Sequence, residues 1–238
     1  MKTLHISVEA SLKKLRTDYI DILYIHWWDY MTSIEEVMNG LHALVLSGKV
    51  LYLGASDTPA WVVSQANQYA RMSGKTLFAI YQGEWNVLKR DFERDILPMA
   101  RAGGLALAPW GVLASGKIRT DQEERRRRET GEKGKPPALA RATGAELLMV
   151  ERMACLGRTL TSAQWERTET ERAVVKVLEE VAAKVGTKNI QAVAIAYVMQ
   201  NIRETVGRYI ALCALHSGWS TVATPPLHSG HQNLYSAL

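Results

Sequence analysis

Four short apolar runs at near-even spacing constrain this chain more than any other feature. "IDILYI" opens at Ile20, "VLYLG" at Val50, "LFAIY" at Leu77 and "LALAP" at Leu105. Successive starts lie 30, 27 and 28 residues apart. One strand, one helix and the turns between them need about 30 residues, so the spacing reads as consecutive βαβ units. The runs are apolar almost throughout rather than alternating, as parallel strands covered on both faces should be. The expectation is an α/β fold with a parallel sheet, either open or closed into a barrel.

The stretches between the runs carry helical signals. Val8, Leu12 and Leu15 mark one apolar face over Ser7–Leu15. Ser33 and Glu36 have the form of a capping box, followed by Ile34, Val37, Leu41 and Leu44 as a buried stripe. Gly48 and Gly74 sit where helices should stop. Thr58 is expected to cap the next helix with Pro59 at its first position. A further helix is expected from about Asp91 to Arg101, closing at Gly103. Beyond Trp110 the pattern changes. Residues 119–137 are charged and punctuated by glycine and proline, which predicts a long mobile loop. Helices are expected again from about Glu166 to Lys184, with Val174, Val175, Leu178 and Val181 as its face, and from Ile190 to Gln200. After Asn201 no period is sustained. Residues 1–200 therefore read as one partial domain with a charged loop, and 201–238 as a divergent, poorly structured tail.

The net charge of +5 is modest, and the basic run Arg125–Arg128 lies beside Glu123, Glu124 and Glu129. A solvated excursion explains that run better than a nucleic-acid surface. Cys155 and Cys213 make no disulfide framework and have no partner at metal-ligand spacing. His228 and His231 read as part of the tail rather than as a metal pair, so no metal is expected. The first residues lack a signal-peptide core, and no apolar run approaches a membrane span. The expected setting is the cytoplasm, with reduced thiols.

Each strand runs into a residue able to do chemistry: His26, then Ser56 and Asp57, then Gln82, then Trp110. In parallel α/β folds the C-terminal edge of the strands is where ligands bind. Each residue alone has a plain structural reading, as a cap, a core ring or a satisfied polar group. Four in succession on one expected edge point to a site.

The segments "DYIDILYIHWWD", "GKVLYLGASDTPAWVV", "YQGEWNVLKRD" and "LALAPWGVLASGK" resemble the aldo/keto reductases, in particular the fungal branch of aryl-alcohol dehydrogenases and norsolorinic acid reductases. The resemblance runs from about residue 4 to about residue 200. It implies a (β/α)8 barrel of TIM-barrel type, incomplete here, with strands 4 to 7 evident, the early strands absent and the last doubtful. It also implies a metal-free oxidoreductase that reduces an aldehyde or ketone with NADP(H), in aryl-alcohol or secondary-metabolite chemistry. By position, His26 resembles the catalytic histidine that orients the substrate carbonyl. Ser56, Asp57 and Gln82 match positions that hold the nicotinamide carboxamide, where many members have Asn in place of Asp57. Trp110 matches a ring that stacks on the nicotinamide. Gly111, Val112, Leu113, Ser115, Gly116 and Lys117 resemble the loop beside the cofactor's pyrophosphate, with Lys117 as a counter-charge.

The family's catalytic Tyr, Asp and Lys lie upstream of the histidine strand, and no residue here matches them. Tyr24 and Tyr30 lie close to His26 in sequence without occupying the tyrosine position. At the far end no glycine-rich turn with a cofactor-phosphate residue follows, although Arg203 and Arg208 are basic. A truncated or mis-spliced gene model is the expectation that would explain both ends. Impaired turnover is the expectation. The alternative is a non-catalytic remnant, or a subunit that associates with itself or with a complete barrel through exposed strand edges. Aromatic aldehydes, anthraquinone ketones and meroterpenoid intermediates all fit the substrate role.

Overall fold

The computed structural model of the protein describes residues 2–131 and 165–205. Expectations for residues 132–137, Cys155, Arg208, Cys213, His228, His231 and the rest of the tail beyond 205 lie outside these residues.

Helix α1 (Lys2–Leu15) leads into strand β1 (Ile20–His26). Then follow α2 (Ile34–Leu46), β2 (Val50–Ser56), α3 (Ala60–Met72) and β3 (Phe78–Glu84). A 3₁₀ turn at Asp91–Glu93, α4 (Ile96–Gly103) and β4 (Ala106–Trp110) come next. Helices α5 (Asp121–Thr130), α6 (Glu169–Lys184) and α7 (Ile190–Thr205) complete the described chain. The strands form one sheet in the order β1-β2-β3-β4, every pair parallel. The even spacing of the apolar runs thus becomes a sheet in which each strand lies beside the next in sequence.

Register decides which side chains meet the helices. Leu23, Ile25, Leu53, Ala55, Phe78, Tyr81 and Leu107 join the core made with α1 to α4 and α7. Phe78 and Tyr81 are three residues apart yet share that side. The pairing shifts between Leu53↔Phe78 and Gly54↔Ile80, leaving Ala79 as an extra, exposed residue. A strand's side-chain period is two, so this bulge restores the alternation. After it, Tyr24, Gly54, Ile80 and Ala106 fall in one row on the face away from the helices. The missing Cβ of Gly54 is what lets the Tyr24 ring lie across β2. A methyl group there would meet Tyr24 Cδ1 and Cε1 at 2.6 Å and Ile80 Cγ2 at 3.0 Å.

Ser33 Oγ accepts from Glu36 N at 3.2 Å, which caps α2 as expected. Three other expectations need correction. Thr58 does not cap α3. Its hydroxyl donates back to Ser56 O at 3.1 Å, and Pro59 occupies the cap. The helix expected over 91–101 is interrupted. A continuous helix would set the Pro98 ring against the Arg94 carbonyl with no N–H to offer it. The α-helix starts instead at Ile96, with Pro98 in its first turn.

The third correction concerns the loop expected over 119–137, whose described part contains α5. Thr120 Oγ1 accepts from Glu123 N at 3.1 Å, and Gly131 closes the helix at φ 70°. Asp121, Glu123 and Glu124 lie in the first turn and Arg127 and Arg128 in the last. That order suits the helix dipole.

Replacing Gly54 by Ala forces the Tyr24 ring or the sheet to move. We expect it to destabilise the fold by about 1–3 kcal/mol, measured as a lowered midpoint in thermal or urea denaturation.

Candidate functional site

The side chains expected to make the site come together because the strands are in register. His26 pairs with Ser56, Ser56 with Gln82, and Gln82 with Ala108. Aligned partners on parallel strands project from the same face, so His26, Ser56 and Gln82 form a polar row at the C-terminal edge. Backbone bonding continues one residue further. Trp27 N donates to Ser56 O, Asp57 N to Gln82 O, and Trp85 N to Trp110 O, each at 3.1 Å. Ser56 is buried, and its hydroxyl donates to Gln82 Oε1 across a long 3.5 Å.

Two non-glycine residues leave this edge in the left-handed region: Trp27 at φ 73° and Asp57 at φ 47°. Asp adopts that conformation more readily than most residues. The turn swings the Asp57 carboxylate toward β1, where Oδ2 lies 3.2 Å from His26 Nε2. The His26 side chain is 45% exposed and that of Asp57 20%. A carboxylate can only accept, so Nε2 carries the hydrogen in this contact. Asp29 organises the loop after His26. It accepts from the backbone N–H groups of Met31 and Thr32 and from the Thr32 hydroxyl, and these bonds hold its carboxyl below the ordinary range.

Trp110, half-buried, ends β4 opposite Glu84. Gly111 follows at φ 66°, with a would-be Cβ 3.3 Å from the Glu84 side chain. Val112 and Leu113 are half-buried against two different apolar clusters. Ser115 at φ 52° and Gly116 at φ 85° are exposed. Within the loop, Ala114 N donates to Gly111 O, Gly116 N to Leu113 O, and Lys117 N to Ala114 O. Lys117 is buried, and its ammonium donates to Glu166 O and to Glu171 Oε2. In this structure Lys117 therefore anchors the start of α6 and does not point a charge outward.

Several further groups, with no strand-end signal of their own, shape this edge. Asn86, fully buried, donates to Gly111 O at 2.9 Å and accepts from Leu88 N and Lys89 N. It joins the turn after β3 to the start of the loop after β4. Its place inside "YQGEWNVLKRD" was the available signal. Beyond the loop, the buried Glu124 accepts from Arg119, Arg167 and Arg172. Arg119 also lies over the Trp165 ring at 5.3 Å, and Arg167 bonds Asp121. No local pattern could have announced this clasp, because Glu124 and Arg167 are 43 residues apart.

Burial opposes ionisation of Glu124, but hydrogen bonds from Arg167 and Arg172 and the charges of Arg167 and Arg119 outweigh it and hold the carboxyl at about 2. A carboxyl depressed in the folded state contributes stability above its unfolded value and loses it as pH falls through the folded one. We expect stability to decline between about pH 4.5 and pH 2, and Glu124→Gln to remove that part of the acid dependence in denaturation series. At neutral pH Glu124→Ala leaves buried guanidinium groups without their carboxylate and should cost about 3–5 kcal/mol.

Three comparisons bear on this edge. The model of the aldo/keto reductase family matches residues 2–217. Over 201 residues the chain is 58% identical to "Aryl-alcohol dehydrogenase [NADP(+)]" of Phanerodontia chrysosporium, covering 84% of this chain and 46% of that protein. Over 200 residues it is 52% identical to "Norsolorinic acid reductase B" of Dothistroma septosporum, covering 84% of this chain and 43% of that one. The chain spans about half the length of the curated relatives it matches. Among solved structures, a glycerol dehydrogenase of Gluconobacter oxydans superposes with a TM-score of 0.57 at 24% identity, over 83% of this chain and 51% of that one. That likeness bears on the fold alone.

Proposed function

The chain belongs to the aldo/keto reductase family, and from that premise we propose that its strand-end site acts on an aldehyde or ketone, or on the matching alcohol, with NADP(H). The fold is that of the family's (β/α)8 barrel, and the described residues carry four consecutive strands of it. The observation that carries the reading is the row of His26, Ser56 and Gln82 in adjacent strands, with Asp57 beside it.

The donor set fits the cofactor. A nicotinamide carboxamide offers two N–H donors and one acceptor. The Ser56 hydroxyl, the Gln82 amide and the Asp57 carboxylate can answer both kinds of group. Trp110 supplies a ring at the neighbouring strand end, and Gly111, Val112, Leu113, Ser115 and Gly116 supply the loop beside it. Lys117 joins the phosphate-binding set only by leaving Glu166 and Glu171. When bound, the cofactor donates or accepts the hydride. His26 orients the substrate oxygen. The name of the fungal relative that is 58% identical supports both an aryl substrate and NADP(H).

Turnover should be slow. Tyr24, on the same sheet face as His26, has its hydroxyl covered and without a hydrogen bond among the described residues. Burial pushes that phenol up to about 12, and a covered group cannot protonate a substrate oxygen. Tyr24 is therefore not the acid, and a site working without a positioned acid is slower by about 10²–10⁴-fold. The test supplies NADPH and benzaldehyde and follows nicotinamide absorbance, with cofactor binding read separately by fluorescence. We expect binding, slow consumption and a further drop in His26→Ala. Consumption as fast as that of the Phanerodontia chrysosporium enzyme overturns the impairment, and absence of NADPH binding overturns the reading.

A second reading, association through strand edges, rests on β1 and β4 being the outer strands of the sheet among the described residues. Unpaired strand edges invite pairing with another chain. Light scattering after size exclusion should then show a mass above 26.5 kDa. A monomer with a cooperative melt rules this reading out.

A further inference from the structure

We propose that Thr130, at the C-terminal end of α5, is a phosphorylation site for a serine/threonine kinase with an acidic substrate groove, and that Arg126 and Arg127 then hold the phosphate. This role is independent of the activity proposed at the strand ends.

The basic run Arg125–Arg128 has no task at that edge. It leads through Glu129 to Thr130. Thr130 has Arg127 three residues before it and Arg128 two before it, and no other serine or threonine of the sequence has arginine at both positions. Guanidinium groups at fixed places before a hydroxyl suit an acidic groove, because each can bind a carboxylate through two parallel N–H bonds. Kinases tell substrates apart by such charge patterns. Arg125, Arg126, Arg128 and Thr130 are exposed and Arg127 is half-buried. Arg125 and Arg126 form no ion pair with a described residue.

The acceptor hydroxyl must stand in line with the phosphorus while the arginines reach the groove, so the last turn of α5 has to open. Little holds it. The helix, Asp121–Thr130, contains no apolar residue, so that turn buries no apolar side chain. Its final carbonyl groups lack intrahelical partners, and Gly131 follows at φ 70°. The Thr130 hydroxyl donates to Arg127 O at a long 3.4 Å. Arg127 pairs with Glu123 at 2.8 Å and Arg128 with Glu166 at 3.0 Å, in partly exposed positions where ion pairs contribute little. Carboxylates of the kinase replace both partners. The clasp stays closed meanwhile, because Arg119, Arg167 and Arg172 hold Glu124 in the first turn.

In the transfer the Thr130 oxygen attacks the γ-phosphorus of Mg-ATP. The new Oγ–P bond forms as the bond to the β,γ-bridging oxygen breaks, and ADP leaves with that oxygen. The hydroxyl proton passes to a carboxylate of the kinase and then to solvent. The product carries about −1.5 to −2 charges at pH 7. Once the helix re-forms, residues three and four back share its face, which sets Arg126 and Arg127 beside the phosphate. Arg127 Nε is covered and has no acceptor among the described residues, and a phosphate oxygen supplies one. Glu123 offers Arg127 a single charge and loses it to the phosphate. The negative end of the helix dipole opposes the modification, but paired charge-assisted bonds outweigh it.

The test incubates the folded full chain with Mg-ATP and the catalytic subunit of cyclic-AMP-dependent protein kinase. Mass spectrometry should show one added phosphoryl group, on Thr130. Thr130→Ser should keep it and Thr130→Ala should remove it. Arg127→Gln with Arg128→Gln should slow the transfer by about tenfold or more. No phosphate on the folded wild type, or the same phosphate on Thr130→Ala, overturns the site. Phosphorylation only of chain denatured by prior heating overturns it as well, since the last turn then stays shut. Phosphorus NMR of the modified chain tests the arginine pairing. Arginines favour the dianion, so the second ionisation should fall below its ordinary value of about 6 and rise again in Arg126→Gln. A phosphate that titrates at or above that value overturns the pairing.

Discussion

Everything at the functional edge depends on the register of four parallel strands. Two sides of the sheet have different tasks: one meets the helices, the other carries the polar row. A shift of one residue exchanges them. The helix side is fixed by burial of Leu53, Ala55, Phe78, Tyr81 and Leu107. Burial of Leu53, Phe78 and Leu107 contributes about 1.5–3 kcal/mol each, more than the long 3.5 Å contact between Ser56 and Gln82. The core therefore sets the site, and the bulge at Ala79 keeps both requirements satisfied along β3.

The parts of the fold that were legible in the sequence are those with local causes. The starts of β1 and β2 fall where the apolar runs open, and β3 and β4 begin one residue later than expected. The strands extend beyond their apolar runs, since β1 includes His26, β2 includes Ser56 and β3 runs through Gln82 to Glu84. Polar residues at a strand's end weaken its apolar signal while still pairing in the ladder. Helix α5 has no apolar stripe to announce it, because its stability comes from charge order, caps and the distant Arg167 and Arg172. Thr58 misled because its type fits a cap, while its hydroxyl had a nearer acceptor in Ser56 O.

The candidate site was legible in composition and order, since the residues singled out at strand ends reach one edge. Their interactions were not legible. Nothing in the string tells that Asp57 turns toward His26, because that depends on a left-handed backbone at a position where glycine is absent. Nor does it tell that Lys117 faces inward to Glu171, because the partner lies 54 residues on.

The ionic clasp around Glu124 bears on how sequences of this kind can diverge. Arg128 at the end of α5 reaches Glu166 at 3.0 Å, and Arg167 reaches both Asp121 and Glu124. The two flanks of residues 132–164 are thereby fixed to each other whatever joins them. The acidic and basic groups of the clasp should therefore persist or disappear together in related chains, because losing one sign leaves the other buried without its counter-charge.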